Sequence, residues 1–302
     1  MNDLFRLINS DQEGPLIDPS ILTKRPIQKR SLADNAHFFD PGAELETAMN
    51  TAIALNEPLL ITGEPGTGKT QAAYYAAYKL NIEPVIHFQV KSDTKAKDLL
   101  YHFDSVRYFH DAALKNNQTL DKKEYIEPRE LWTAMSSTVP RILLIDEIDK
   151  ATRDFPNDLL MELDQLSFKI IETSEWIKAE SPPIVFITSN SERKLPEAFL
   201  RRCVYHHITF DSKIIENAVM KRRDEYPELS EEFLRLAIER FLMLRNAPLR
   251  KPPSTAELIV WLRVLGINTE SYSKELDNHL SNLPYLGVLI KDHQDLEDLT
   301  KH

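Results

Sequence analysis

Glycine is scarce in this chain, and the place where it clusters fixes the local fold. Only seven glycines occur in 302 residues, and three of them fall in Gly63-Glu64-Pro65-Gly66-Thr67-Gly68-Lys69-Thr70. The pattern Gly-x4-Gly-Lys-Thr lets backbone N–H groups turn inward around phosphate oxygens. It places a lysine within reach of the β and γ phosphates and a hydroxyl where magnesium can be held. A glycine-rich turn without a ligand is the plain alternative, and the flanks weigh against it. Residues 58–62 are a short apolar run, and from Gln71 to Leu80 Ala, Tyr and Leu recur at helical spacing. The loop therefore sits between a buried strand and a helix N-terminus, where free N–H groups favour a polyphosphate. The candidate ATP-binding residues are Gly63 to Thr70 together with Gln71. Upstream, Asp40-Pro41 reads as an N-cap followed by proline at the first helical position, with Leu45, Met49, Ala52 and Ile53 on one apolar face.

A second motif is Arg141-Ile142-Leu143-Leu144-Ile145-Asp146-Glu147. Four aliphatic residues ended by acids read as a parallel strand buried on both faces, with carboxylates at the tip where open α/β sheets bind ligands. Asp146 is placed to anchor Mg2+ beside Thr70, and Glu147 to polarise a water for in-line attack on the γ phosphate. A third strand, residues 184–189, ends at Asn190. Asparagine there is commonly a turn former; beside the acidic pair its neutral amide can orient the attacking water without adding repulsive charge. Residues 196–203 then read as a short helix ending in Arg201 and Arg202, which by themselves complement a helix dipole.

Composition bounds the rest. With 302 residues, 42% hydrophobic and 28% charged, the chain is ordinary globular protein of two domains. The net charge of −10 argues against a broad nucleic-acid surface. The basic cluster Lys24-Arg25-x3-Lys29-Arg30 lacks interleaved aromatics and reads as a solvated arm. No aliphatic run is long enough to cross a bilayer and residues 1–14 lack a signal-peptide core, so a soluble cytoplasmic protein is expected. Cys203, the single cysteine, fits a reducing compartment and a buried structural thiol. His206 and His207, adjacent on a strand, point to opposite faces and cannot chelate one metal together.

The motifs Gly63 to Thr70, Leu144-Ile-Asp-Glu-Ile-Asp-Lys150, Thr188-Ser-Asn190 and Ala198-Phe-Leu-Arg-Arg-Cys203 occur in that order. Over roughly residues 40–300 the chain resembles AAA+ ATPases, and within them the MoxR-like branch. The resemblance implies that Lys69 and Thr70 are Walker A, Asp146 and Glu147 Walker B, and Asn190 sensor 1. It makes Arg202, with Arg201 as understudy, the finger that reaches a neighbour's ATP. It also implies an α/β fold, a P-loop AAA+ core whose five-stranded parallel sheet sets the sensor strand between the two Walker strands, followed by a small all-helical lid. The expected division is an arm at 1–39, the α/β domain at 40–210 and the lid at 211–302.

In the lid, residues 231–244 place Phe233, Leu234, Leu236, Ala237, Phe241 and Leu242 on one face, and residues 254–265 form another helix. The family's sensor 2 arginine is absent. Ala256 takes its seat, which leaves Arg250 or Lys251 as the nearest cation for the γ phosphate, with Lys251 the candidate. Two stretches are long for a minimal core. Residues 91–140 hold an aromatic-rich helix spanning 98–109, read as core packing or as a partner-facing element. Residues 168–180 alternate as a β-hairpin inserted before the sensor strand.

The resulting expectation is a Mg2+-dependent ATPase that forms a homo-oligomeric ring, a hexamer by resemblance, and remodels a protein partner. A protein with a von Willebrand factor A domain is the family's usual partner. No membrane or nucleic-acid partner is expected. The alternatives are a nucleic-acid motor or restriction subunit of McrB type and a nucleotide-gated scaffold with little turnover.

Overall fold

Runs of aliphatic residues that alternate with amphipathic helices require a sheet covered on both faces, and the chain builds one. The structure, a computed structural model, describes residues 31–114, 120–267, 276 and 279–301. The basic cluster at 24–30 and the stretch 1–14 lie outside the described residues. By their contacts the described residues divide into two compact units.

The first unit, residues 41–65 and 69–209, holds the sheet. Its elements are α1 (Gly42–Leu55), β1 (Leu59–Gly63), α2 (Lys69–Leu80), β2 (Ile86–Gln89), α3 (Ala96–Leu100), β3 (Tyr101–Phe103), α4 (Ser105–Leu114), β4 (Ile126–Pro128), α5 (Glu130–Met135) and β5 (Ile142–Asp146). They continue with α6 (Phe155–Asp158), α7 (Leu160–Gln165), β6 (Ser167–Lys169), β7 (Trp176–Lys178), β8 (Ile184–Ser189), α8 (Glu197–Leu200) and β9 (Val204–Ile208). Five strands form a parallel sheet in the order β2-β5-β8-β1-β9. The strand that ends before Asn190 thus lies between those that end in Gly63 and Asp146. Every residue of β1 and β5 is buried, which explains their unbroken apolar composition; each buried Leu or Ile contributes roughly 1.5–3 kcal/mol.

Three local expectations need correction. Pro41, not Asp40, occupies the N-cap of α1, and Asp40 lies outside the helix, its carboxylate 3.6 Å from the Lys221 ammonium. The aromatic-rich stretch at 98–109 is not one helix. Tyr101–Phe103 breaks out as β3 and pairs antiparallel with β4, because Tyr101 is buried with its ring stacked on Phe168 and edge-on to Trp132. Asp104 then caps a new helix by accepting the Arg107 N–H at 2.9 Å. Cys203 is only partly buried; burial, with Glu57 and Asp164 nearby, pushes its thiol up to about 12. The hairpin expected at 168–180 does form, as β6 and β7.

The second unit comprises the described residues to Asp40, Gly66–Gly68 and residues from Phe210 onward. Its helices are α9 (Ser212–Met220), α10 (Glu231–Arg245), α11 (Thr255–Ile267), α12 (Leu286–Leu289) and α13 (His293–Thr300). Helix α10 buries Leu234, Ala237, Ile238, Phe241 and Leu244. The expected face was set too far round, since Phe233, Leu236 and Leu242 are its half-buried margins. Trp261 is fully buried and donates its indole N–H to the Pro284 carbonyl at 2.7 Å. Among the described residues no helix is long and apolar enough to cross a membrane.

Candidate functional site

Strand β1 delivers the chain into the glycine-rich turn, and α2 begins at Lys69. Gly66 and Gly68 have φ of +76° and +93°, which L side chains rarely adopt. Space excludes them too: a Cβ on Gly66 would fall 2.3 Å from Ser254 Oγ and 3.6 Å from the Ala256 Cβ, and one on Gly68 would fall 2.7 Å from the Phe39 ring. Lys69 is 6% exposed and donates to the carbonyls of Gly63 at 2.9 Å and Glu64 at 2.8 Å. Burial lowers its pKa, and the carboxylates of Asp149, Asp146, Glu147 and Glu64 oppose that effect. An ammonium ringed by carbonyls and acids is poised to donate to phosphate oxygens.

The acids stand at the C-terminal tip of β5. Thr70 donates its hydroxyl to Asp146 Oδ1 at 2.9 Å, and the Thr188 hydroxyl bonds to the same oxygen. Nε2 of His87, on β2, stands 3.4 Å from Oδ2. Burial alone would raise the pKa of Asp146, but the contacts from His87, Thr188 and Thr70 hold it below the ordinary carboxylate value. It stays ionised, and with the Thr70 hydroxyl it forms a pair of hard oxygen donors of the kind magnesium takes.

Glu147 has a left-handed backbone (φ 59°, ψ 51°), a strained choice for a non-glycine residue. Its N–H donates to Thr188 Oγ1 at 2.8 Å. The Asn190 amide donates to Glu147 Oε1 at 3.1 Å, while the Gln89 amide, at 2.7 Å, and the Lys150 ammonium donate to Oε2. Asp149, 2% exposed, accepts the N–H groups of Asn190 at 3.2 Å and Glu192 at 2.8 Å. It thereby ties the end of β8 to the turn after β5.

The structure thus brings Lys69, Thr70, Asp146, Glu147 and Asn190 into one cluster. It places the arginines apart from it. Arg202 pairs through Nε with Asp164 at 2.5 Å and donates from Nη1 to the Ala198 carbonyl at 3.1 Å, and Arg201 is exposed in the turn after α8. Lys251 belongs to the helical unit, where its N–H donates to Asp295 Oδ2 at 3.0 Å and its side chain is exposed. The sequence reading missed His87, Gln89, Thr188, Asp149 and Lys150. Three of these, Asp149, Lys150 and Thr188, lie within the recognised motifs but were given no role there. His87 and Gln89 lie on β2, and only the strand order shows that they face the acids.

Residues 58–203 match the family described as AAA domain (dynein-related subfamily). No curated protein matches the chain. A solved structure from Cytophaga hutchinsonii, described as a "putative ATPase", is similar at 16% identity and a TM-score of 0.42, covering 89% of this chain and 92% of that one. The matched segment contains every residue of the phosphate and acid cluster.

The chain matches an AAA domain over residues 58–203, and on that match it is an ATP hydrolase.

Proposed function

We propose that the protein is a Mg2+-dependent AAA+ ATPase of the MoxR-like kind, which forms a ring and uses ATP hydrolysis to remodel a protein partner. The observation that carries the catalytic part is the convergence at the C-terminal end of the sheet of the Thr70–Asp146 oxygen pair and the Glu147–Asn190 pair. Thr70 and Asp146 would hold magnesium, which would supply positive charge to offset that of a bound triphosphate. Lys69, now donating to two carbonyls, has the reach and charge to donate to the same phosphates. Glu147 accepts the proton of the attacking water, and the Asn190 amide orients that water. Lys251 is the proposed lid cation in place of a sensor 2 arginine.

The ring rests on Arg202. It lies within the recognised motif order and is exposed, and a finger that completes a neighbour's site calls for head-to-tail assembly, which closes into rings. A hexamer, and a partner with a von Willebrand factor A domain, follow from the resemblance. The MoxR-like reading draws support from the β6–β7 hairpin before β8. One observation favours a second reading, a nucleotide-gated scaffold with little turnover: both carboxylate oxygens of Glu147 already accept hydrogen bonds.

Phosphate release and nucleotide binding separate the two. Under the ATPase reading Glu147→Gln binds ATP like the wild type and turns it over at least ~100-fold more slowly, the usual scale of general-base loss. Wild-type-like turnover in Glu147→Gln would overturn the assignment, and wild-type protein that binds ATP without releasing phosphate would establish the scaffold.

A further inference from the structure

The imidazole of His87 bridges two elements behind the acid cluster. Its Nδ1 lies 3.1 Å from the Tyr74 hydroxyl on α2, with the two rings edge to face at 73°. Its Nε2 is fully buried, has no partner at normal hydrogen-bond geometry, and stands 3.4 Å from Asp146 Oδ2. Burial, and secondarily the charge of Asp146, raises the pKa of Tyr74, so that hydroxyl keeps its proton and is a donor. A ring whose Nδ1 accepts from Tyr74 carries its proton on Nε2, facing the carboxylate.

The geometry of Asp146 gives that proton a task. Oδ1 is held by the hydroxyls of Thr70 and Thr188. A carboxylate held at one oxygen can still swing its other oxygen, and among the described residues His87 supplies the contact that Oδ2 makes.

We propose that His87 is a positioning residue for the magnesium site: anchored by Tyr74, its ring holds Oδ2 of Asp146 and keeps Oδ1 turned toward Thr70. Histidine suits the role because β2 is an edge strand next to β5, and its residue 87 pairs in register with Leu144, two residues before the acid. A shorter side chain at that register position would not reach both Tyr74 and the carboxylate. Outer-shell groups that orient a metal-binding carboxylate act on metal affinity, typically by 10- to 100-fold. The inference rests on the reading of Thr70 and Asp146 as the magnesium residues.

The test is the affinity of a fluorescent ATP analogue for the full chain, titrated with Mg2+ and repeated in EDTA. For His87→Leu, the half-saturating Mg2+ concentration is expected to rise about 10- to 100-fold, with affinity in EDTA unchanged. His87→Gln, whose amide can donate in the same direction, is expected to recover most of that loss. Tyr74→Phe should show a smaller rise of the same kind. An unchanged Mg2+ requirement in folded His87→Leu overturns the proposal, as does an equal loss with and without the metal, which marks a merely structural ring. If His87→Leu does not fold, Tyr74→Phe decides: a raised Mg2+ requirement supports the proposal and an unchanged one overturns it. If wild-type affinity is itself indifferent to Mg2+, the magnesium reading falls, and this proposal with it.

Discussion

Thr188 shows how much one hydroxyl can organise. It bonds to Asp146 Oδ1 and accepts the Glu147 N–H, so one side chain on β8 fixes the carboxylate of the first acid and the backbone of the second. Asp149 does the same for β8, since its two oxygens take the N–H groups of Asn190 and Glu192. Removing this buried carboxylate leaves two backbone donors without their acceptor, and an unsatisfied buried donor costs roughly 1–3 kcal/mol. Asp149→Ala is therefore expected to lose stability on that scale in urea unfolding and to slow ATP turnover, while ATP binding through Lys69 is largely kept. Asp149→Asn, which keeps one acceptor oxygen, should recover part of both losses. Stability equal to wild type in Asp149→Ala would show that water replaces the carboxylate.

At the scale of elements, the two insertions are joined to each other. Glu172, in the β6–β7 turn, accepts from the Lys97 ammonium at 2.8 Å and from the Tyr101 hydroxyl at 2.7 Å, and Tyr101 also stacks on Phe168. Lys123 pairs with Glu175 at 2.5 Å across the same junction. Burial alone would raise the Glu172 carboxyl, but Lys97 and Tyr101 hold it below its ordinary value. A depressed folded-state pKa contributes stability that is full above the unfolded value, near 4.3, and is lost as pH falls through the folded one. Glu172→Gln should thus lower the melting temperature at pH 7, by the equivalent of about 1 kcal/mol for a partly exposed charged contact. The gap between variant and wild type should close as pH falls through and below the carboxylate range. A gap that stays constant with pH would mean that packing, and not charge, holds the hairpin to β3.

For the whole molecule, the proposed assembly turns on Arg202. In the single chain its guanidinium is paired with Asp164, a contact between half-exposed groups worth little in water, so a neighbour's phosphate could compete for it. If it acts in trans, Arg202→Ala should bind ATP normally and lose turnover on the order of a thousand-fold. Mixing that variant with Lys69→Ala subunits should restore part of the activity, because some interfaces then join an intact loop to an intact finger. Mixed assemblies that form yet remain inactive would rule out the trans role.

What the chain alone determined is whatever depends on local spacing. Glycines at 63, 66 and 68, followed by Lys69 and Thr70, announce the tight turn that joins β1 to α2, and an aliphatic run ending in Asp146-Glu147 announces a buried strand with acids at its tip. The hairpin was legible for the same reason, since alternation at period two is a local signal. Tertiary structure decided what depends on which strands are neighbours. Tyr101–Phe103 leaves the helical pattern because a cross-strand partner at 126–128 and an aromatic seat between Trp132 and Phe168 outweigh local propensity. His87 and Gln89 read as ordinary strand residues until β2 is placed beside β5, where they meet Asp146 and Glu147. Side chains nearly sixty positions apart share a site only through sheet order, and sheet order follows from burying apolar faces across the whole domain, which no short window of sequence records.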